Sequence, residues 1–182
     1  MSAIYSYSVP KPDGSELSLE ELKGKVILVV NTATGCGFTP QYAIIEKIYE
    51  AYHDKGLEVI DVPCNQFAGQ TPGTDDEIHS FCTLKYKTSF PQMRKSDVNG
   101  ADQLPLYGFL KSKKGFEGFG KGPKALAMNT MVKKYDKDYA NNPDIKWNFT
   151  KFVINRDGDV VARFEPTASM KEVERCVAEL IG

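Results

Sequence analysis

The sequence predicts an α/β fold in which helices flank a mixed central sheet. Two observations carry this prediction: a strand–helix–strand unit in the first third of the chain, and a strand–turn–strand pair followed by a helix at its end. Parallel strands need a crossover connection whereas antiparallel strands need only a tight turn, so the two units together give a sheet with both kinds of pairing. The 182 residues, 41% of them apolar and 26% charged, suit one soluble domain covering 1–182.

The first unit runs from residue 25 to residue 63. Residues 25–31, KVILVVN, and 57–63, LEVIDVP, are apolar runs rich in β-branched side chains, which is typical of buried strands. Between them an apolar stripe recurs at the three- and four-residue steps of a helix: Tyr42, Ile45, Ile48, Tyr49 and Tyr52. The two strands are therefore predicted to be parallel, with a right-handed crossover.

Helices are predicted in the middle of the chain. Thr74 and Glu77 have the spacing of a capping box, and the helix they start should run to about Tyr86. Residues 103–112, QLPLYGFLKS, form a further short helical segment.

The second unit ends the chain. Residues 148–155 and 159–165 flank an Asp-Gly turn and are predicted to form a hairpin. Ser169 and Glu172 then predict a second capping box, followed by a helix whose apolar face holds Val173, Cys176, Val177 and Leu180. This order of elements matches a thioredoxin-type architecture, which by itself does not assign a function.

Charge and composition exclude several classes of protein. The net charge of −1 gives no indication of nucleic acid as a partner. Residues 1–15 lack the basic and apolar regions of a signal peptide, and no apolar run approaches the ~18 residues that span a bilayer. We therefore expect a cytoplasmic protein without stable membrane insertion, in which disulfides are transient and catalytic or redox-sensing.

Metal and cofactor sites are not predicted. The cysteines at 36, 64, 82 and 176 contain no CxxC pair and no zinc-ligand spacing. His53 and His79, the two histidines, neighbour no motif, and the chain has no Gly-rich phosphate loop. We expect no metal, nucleotide or haem.

Cys36 is the strongest candidate for a reactive side chain. It lies between a buried strand and the start of a helix, where unpaired N–H groups and the helix dipole favour a thiolate. A thiolate attacks a peroxide oxygen and becomes a sulfenic acid, and Gly35 and Gly37 leave little cover over it. The run 36–40 resembles a thioredoxin active site with its second cysteine replaced by Thr39, so the oxidised sulfur would be resolved from elsewhere. The alternative is a small buried apolar side chain.

A family resemblance runs along nearly the whole chain. Five blocks are similar to the signature blocks of glutathione peroxidases, in the family's order: NTATGCGFTPQY (31–42), PCNQFAGQTPG (63–73), FCTLKYKTSFP (81–91), DVNG (97–100) and WNFTKF (147–152). The resemblance implies a thioredoxin-like fold and a peroxidase that reduces hydrogen peroxide and organic or lipid hydroperoxides.

The resemblance also implies site residues. On its motifs Cys36 takes the peroxidatic position, Gln70 the active-site glutamine, and Trp147 and Asn148 the tryptophan and asparagine, with all four in one hydrogen-bonded group. Breaking a peroxide bond needs donors for the developing oxyanion, and amide and indole N–H groups are neutral donors of this kind. Without the motif, Gln70 is more simply a loop amide and Trp147 a core aromatic.

Cys82 has two interpretations. It shares a helix face with Ile78, as a packed thiol would. The resemblance implies instead that Cys82 resolves the sulfenic acid as an intramolecular disulfide, with thioredoxin as the usual reductant; direct resolution by glutathione is the competing version. Because a disulfide needs Cα atoms about 4.4–6.8 Å apart, we expect pairing to require melting of 75–86. Cys64 and Cys176 are interpreted as structural.

Two further questions stay open in the sequence. Cys36 could pass its oxidation to a partner protein, as a redox sensor, instead of turning over peroxide. Residues 111–146 form an insertion relative to the shortest members of the family, with eight lysines in 111–137. Pro123 is expected at its helix start, with Leu126, Met131 and Tyr135 on one side. A homo-oligomer contact and a helix packed on its own domain are equal alternatives for this segment.

Overall fold

The centre of the structure, a computed structural model that describes residues 3–182, is a four-stranded mixed sheet. The strands are, in chain order, β1 (Ser8–Pro10), β2 (Glu16–Ser18), β3 (Val26–Thr32), β4 (Leu57–Pro63), β5 (Lys151–Ile154) and β6 (Val160–Phe164). Strands β1 and β2 form a separate antiparallel pair. In the central sheet β3 pairs in parallel with β4 and antiparallel with β5, and β5 pairs antiparallel with β6, giving the order β4-β3-β5-β6. The predicted combination of parallel and antiparallel pairing is confirmed.

Five α-helices accompany the sheet within residues 3–182. They are α1 (Gln41–Tyr52), α2 (Asp75–Tyr86), α3 (Pro105–Lys113), α4 (Pro123–Tyr135) and α5 (Met170–Ile181). Short 3-10 helices occupy Ala3–Ser6, Leu19–Leu22, His53–Lys55 and Tyr139–Asn141. All seven residues of β3 are buried, as expected for a central strand that is covered on both faces.

The apolar stripe predicted for the first helix faces the core. Tyr42, Ile45, Ile48 and Tyr49 of α1 are buried, and Tyr52 at its end is half-buried. Each fully buried side chain of this size contributes about 1.5–3 kcal/mol relative to an exposed one. The stripe therefore fixes which face of α1 lies against the sheet.

One predicted capping box is confirmed and one is wrong. Thr74 Oγ1 accepts from the Glu77 N–H at 3.3 Å, and Glu77 Oε2 accepts from the Thr74 N–H at 2.7 Å. Ser169 does lie at the N-terminus of α5, but its side chain makes no capping hydrogen bond, and its carbonyl accepts the Glu172 N–H instead. The spacing of Ser169 and Glu172 thus predicted the start of α5 correctly but predicted a side-chain hydrogen bond that is not formed.

The hairpin is present but its first strand is shorter than predicted. Residues 148–155 were expected to be extended, whereas β5 begins at Lys151. Phe149 has φ 64, in the left-handed region, and its N–H donates to the Asn31 carbonyl at 2.6 Å. This turn takes Trp147 and Asn148 out of the strand. The turn at the other end is closed by the Asn155 N–H, which donates to the Asp159 carbonyl at 2.9 Å.

Helix α4 begins at Pro123 as predicted, but with a different buried face. Ala125, Met128 and Val132 are buried, whereas Leu126 and Tyr135 are 69% and 67% exposed. The side chains of Leu126 and Tyr135 are therefore not the ones that pack on the domain. Helix α4 packs on its own domain through three buried side chains. A subunit contact through 111–146 stays a prediction, for which Leu126 and Tyr135 are the exposed apolar side chains.

Candidate active site

Cys36 sits in a tight turn that joins β3 to α1. The side chain is 7% exposed, and its sulfur accepts a hydrogen bond from the Phe38 N–H at 3.4 Å. The Cys36 N–H donates to Thr39 Oγ1 at 3.0 Å, and that hydroxyl donates to the Ala33 carbonyl at 2.8 Å. Thr39, at the position of a second cysteine in a dithiol site, therefore holds the turn closed. The sulfur meets an N–H of the turn itself, because α1 starts only at Gln41.

Gln70 and Asn148 lie side by side next to this turn. The Gly35 N–H donates to the Gln70 carbonyl at 2.9 Å, which fixes the Gln70 loop one residue from Cys36. Asn148 Nδ2 donates to Gln70 Oε1 at 3.0 Å. Because Oε1 is the bonded atom, the Nε2 group of Gln70 is the part of its amide that can donate to another group. The structure thus brings together Gln70 and Asn148, which are 78 positions apart. Of the expected hydrogen-bonded group of four, this is the pair that is bonded within residues 3–182, because the Cys36 sulfur meets the Phe38 N–H and Trp147 bonds through its carbonyl.

Asn148 carries a buried acceptor that is unusual for a folded protein. Within residues 3–182 its Oδ1 atom has no hydrogen-bond partner, although Asn148 is fully buried. Asn31 Oδ1 is in the same condition. A buried polar atom without a partner costs about 1–3 kcal/mol, and such atoms need an explanation. The unpaired acceptor belongs to the same amide that donates to Gln70, so it is part of the polar pair next to the turn of Cys36.

Trp147 is joined to the same region through its backbone. Its carbonyl accepts from Asn31 Nδ2 at 3.2 Å and from Thr150 Oγ1 at 3.1 Å. The indole is 5% exposed, and its centroid lies 5.8 Å from the rings of both Phe67 and Tyr135. Aromatic packing therefore sets the direction of the indole. The contact with Tyr135, from the lysine-rich insertion, had no signal in the sequence.

Cys82 is buried in α2 and hydrogen-bonded. Gln92 Nε2 donates to its sulfur at 3.4 Å, and burial raises the pKa of the thiol to about 11. In this state all four cysteines are free thiols. Burial also raises the pKa of Cys64 to about 11 and that of Cys176 above its usual value, which fits their interpretation as packed side chains.

Helix α2 buries two side chains completely, while Phe81 and Tyr86 pack partly against the core and the Tyr86 ring lies 5.7 Å from that of Tyr42. Ile78 and Cys82 are its buried residues, whereas Leu84 is 74% exposed. Lys87 ends the helix with φ 58, a left-handed conformation that glycine adopts more easily. A groove separates this helix from the turn of Cys36. Gly35 and Gln70 line the groove on the side of the turn, and Ile78 and Phe81 line it on the side of α2.

Two neighbouring side chains, Asn65 and Gln66, bond the backbone of the adjoining loops. Asn65 Oδ1 accepts the Thr71 N–H at 2.9 Å, and Gln66 Oε1 accepts the N–H groups of Val98 and Asn99 at 2.8 and 3.0 Å. These bonds order the loop that carries Gln70.

Metal and membrane features are absent from the part of the chain that is described. Residues 3–182 contain no group of three His, Cys, Asp or Glu side chains placed to hold a metal ion. Over the same residues no helix has the length and apolar character needed to cross a bilayer.

Comparisons with known proteins agree with one another. Residues 4–111 match the family model described as glutathione peroxidase. The chain is 43% identical over 178 residues to a glutathione peroxidase of Lactococcus lactis subsp. cremoris, covering 98% of this chain and 99% of that one. It is 39% identical over 181 residues to the glutathione peroxidase-like peroxiredoxin gpx1 of Schizosaccharomyces pombe, covering 100% of both.

The fold gives the same relationship. The crystal structure of T. cruzi GPX1 superimposes with a TM-score of 0.70 at 32% identity, covering 100% of this chain and 97% of that one. The fold is thus thioredoxin-like, as the order of elements predicted.

Proposed function

Because the chain belongs to the glutathione peroxidase family, we propose that it reduces hydroperoxides by a two-cysteine cycle, with Cys36 oxidised by peroxide and Cys82 resolving the product. The family makes it a peroxidase, an oxidoreductase that takes a hydroperoxide substrate and a thiol reductant. The position of Cys82 supports the two-cysteine cycle. Cys82 lies on α2, which buries two side chains and faces the turn of Cys36 across a groove.

In the first step the Cys36 thiolate attacks the distal oxygen of the hydroperoxide. A sulfur–oxygen bond forms as the oxygen–oxygen bond breaks. The sulfur is oxidised to sulfenic acid, and the alkoxide or hydroxide takes a proton to leave as alcohol or water. Cys36 is 7% exposed, so the expectation of little cover over the sulfur is wrong; the space beside it lies at Gly37, where a Cβ would meet no atom within 4 Å.

Gln70, Trp147 and Asn148 assist this step as hydrogen-bonding groups. Gln70 has its Nε2 group available to donate, and Asn148 has an unpaired buried acceptor. Neutral donors stabilise the leaving oxyanion without pairing permanently with the thiolate, and preorganised donors cost no reorganisation during the reaction.

In the second step the Cys82 thiol displaces hydroxide from the Cys36 sulfenic acid. The sulfur–oxygen bond breaks, a disulfide forms, and the thiol proton leaves with hydroxide as water. Cys82 must leave the core for this, so α2 has to unwind locally. Because α2 buries two side chains completely and ends at a left-handed Lys87, its opening costs less than that of a helix with a longer buried stripe, although Phe81 and Tyr86 must also leave the core.

The reductant completes the cycle by supplying two electrons. A dithiol of the thioredoxin type exchanges with the Cys36–Cys82 disulfide and is itself oxidised. The competing version, in which glutathione attacks the Cys36 sulfenic acid directly, needs no movement of α2. A redox sensor would share the first step and differ in passing the disulfide to a partner protein.

Peroxide-dependent consumption of NADPH separates these versions. The wild-type protein is assayed with thioredoxin plus its reductase and, in parallel, with glutathione plus its reductase. We expect turnover with thioredoxin. Glutathione-driven turnover that survives in Cys82→Ser would contradict resolution by Cys82, and rapid oxidation of Cys36 without turnover in either system would favour the sensor.

Replacing Gln70 by methionine should slow the oxidation of Cys36. Methionine has a similar length but cannot donate, and loss of one oxyanion donor costs about 10²–10³-fold in related cases. The measurement is the rate of peroxide consumption in a single turnover, with the melting temperature as a control for folding. An unchanged rate would remove Gln70 from the reacting group.

Replacing Tyr135 by alanine should weaken the positioning of Trp147. An aromatic pair contributes about 0.5–1.5 kcal/mol beyond its buried area, which corresponds to a rate change of about 2- to 10-fold. The fluorescence of Trp147, the one tryptophan of the chain, should shift to longer wavelength, and Tyr135→Phe should restore both properties. Leu126→Ala is the matched control, because Leu126 is equally exposed on α4. Equal effects of the two alanine variants would contradict a specific role of Tyr135.

A further inference from the structure

A buried carboxylate lies beneath the thiol of Cys82. Asp61, on β4, is fully buried and accepts hydrogen bonds from Thr32 Oγ1 at 2.5 Å, Gln92 Nε2 at 3.0 Å and the Tyr42 hydroxyl at 3.2 Å. All three donors are neutral. A buried carboxylate without a countercharge is costly to ionise even when it is hydrogen-bonded.

Two of these donors also reach Cys82. Gln92 Nε2 donates to Cys82 Sγ as well as to Asp61, and the Tyr42 hydroxyl also interacts with the thiol. Gln92 is held there by its backbone, because its segment runs parallel to β4 and the Met93 N–H donates to the Asp61 carbonyl at 2.8 Å. Cys82 therefore lines the Asp61 site on the side that α2 covers.

We propose that Asp61 is a positioning residue for the resolving step, because its buried charge favours the open form of α2, in which Cys82 has left the core and water reaches the carboxylate. The effect on disulfide formation rests on the proposed function, whereas the opening of α2 depends only on Asp61 and α2. The open form is the one in which Cys82 can approach Cys36.

The size of the effect on the opening of α2 follows from the difference between the pKa of Asp61 in the closed form and in the open form. Burial raises the pKa of Asp61 from its ordinary value of 3.8 to about 6 in the closed form, whereas hydration in the open form returns the pKa toward that ordinary value. Below pH ~4 both forms are protonated and the carboxyl has no influence. Between pH ~4 and pH 6 the carboxyl ionises in the open form first, so the open form becomes more favoured as the pH rises. Above pH 6 the carboxyl is ionised in both forms, and opening is favoured by up to about 100-fold, the factor for two pKa units.

Other groups around Asp61 do not titrate in this range. Tyr42 on α1, Cys82 on α2 and Tyr107 on α3 face the carboxylate. Burial raises the pKa of Cys82 to about 11 and the pKa values of Tyr42 and Tyr107 well above their usual range. Asp61 is thus the group that changes charge between pH 4 and pH 7.

Hydrogen exchange of the reduced protein tests the opening without using the disulfide. Amide exchange of α2, corrected for the intrinsic rate, is compared between wild type and Asp61→Asn from pH 5 to pH 7.5. Asparagine keeps the shape, and the hydroxyls of Thr32 and Tyr42 can accept from its amide. Glu46→Gln is the matched control, since Glu46 is a buried carboxylate of α1 that bonds Ser89.

The expected result is wild-type opening that exceeds that of Asp61→Asn by tens of fold at pH 7, in a ratio that falls as the pH is lowered through 6. Glu46→Gln should follow wild type. A pH-independent ratio near one would overturn the inference. Should Asp61→Asn fail to fold, the wild-type pH profile decides alone, because corrected opening that does not rise between pH 5 and pH 7 also overturns it.

Rapid quenching and mass mapping then measure the rate of Cys36–Cys82 disulfide formation in the same variants. The ratio of wild type to Asp61→Asn should follow the ratio of α2 opening, and the titration of Cys82 in the open form cancels between the two. If wild type forms no such disulfide, the proposed resolving step fails, while the exchange data still judge Asp61. If the disulfide forms equally fast in both proteins at every pH, the inference fails and the two-cysteine cycle stands.

Discussion

Replacing Cys36 by serine should abolish peroxide reduction, lowering the rate by at least ~10³-fold. A serine hydroxyl remains neutral at physiological pH, whereas the attacking species is a thiolate, so serine cannot supply the nucleophile. Thr39 and Ala33 hold the turn through bonds that do not involve the sulfur. The variant should therefore fold normally. The measurement is peroxide consumed per protein in a single turnover.

Cys176→Ser is the matched control for this experiment. Cys176 is a half-buried thiol on α5 and belongs to neither proposed step. It should consume peroxide at the wild-type rate. If Cys36→Ser still consumed one equivalent of peroxide while Cys176→Ser did not, the nucleophile would have been assigned to the wrong cysteine.

Replacing Cys82 by serine should separate the two halves of the cycle. Oxidation of Cys36 should proceed at the wild-type rate and stop after one equivalent of peroxide, because the sulfenic acid has no internal thiol to attack it. Thioredoxin-driven turnover should fall by about 100-fold or more, since resolution then depends on a collision with an external thiol. Gln92 and Tyr42 can hydrogen-bond the serine hydroxyl, so α2 should remain folded.

A trapping reagent for sulfenic acid provides the decisive measurement. Cys82→Ser should accumulate labelled Cys36 after peroxide treatment, whereas wild type should yield a peptide pair joined by a Cys36–Cys82 disulfide. Undiminished thioredoxin-driven turnover in the serine variant would contradict the resolving role and leave Cys82 as a packed thiol.

The local elements were predictable because their signals are local. Apolar runs of β-branched residues placed β3 and β4, and the stripe beginning at Tyr42 fixed the buried face of α1, since burial follows the period of each element. The capping box of Thr74 and Glu77 gave the start of α2, because both hydrogen bonds lie within four residues. The position of Cys36 between β3 and α1 follows from the same signals.

Where local signals were ambiguous, packing decided. Ser169 begins α5 without a side-chain cap, and α4 buries Met128 and Val132 instead of Leu126 and Tyr135. A helix with apolar side chains on several faces can turn any of them inward, and the neighbouring elements select one. Strand β5 starts late for the same kind of reason: the turn at Phe149 depends on its bond to the Asn31 carbonyl of β3.

The sequence by itself determined the fold class, the family resemblance and the position of the reactive cysteine. The tertiary structure alone decided which other side chains meet: Tyr135 with Trp147, and Asp61 with the donors that also hold Cys82. Asp61 is recognisable in the sequence as a carboxylate at the centre of the apolar part of 57–63. Its contact with the Cys82 site depends on Gln92, which is 31 residues away in the chain. Periodicity fixes elements one at a time, whereas a site built from several elements depends on the packing that brings them together.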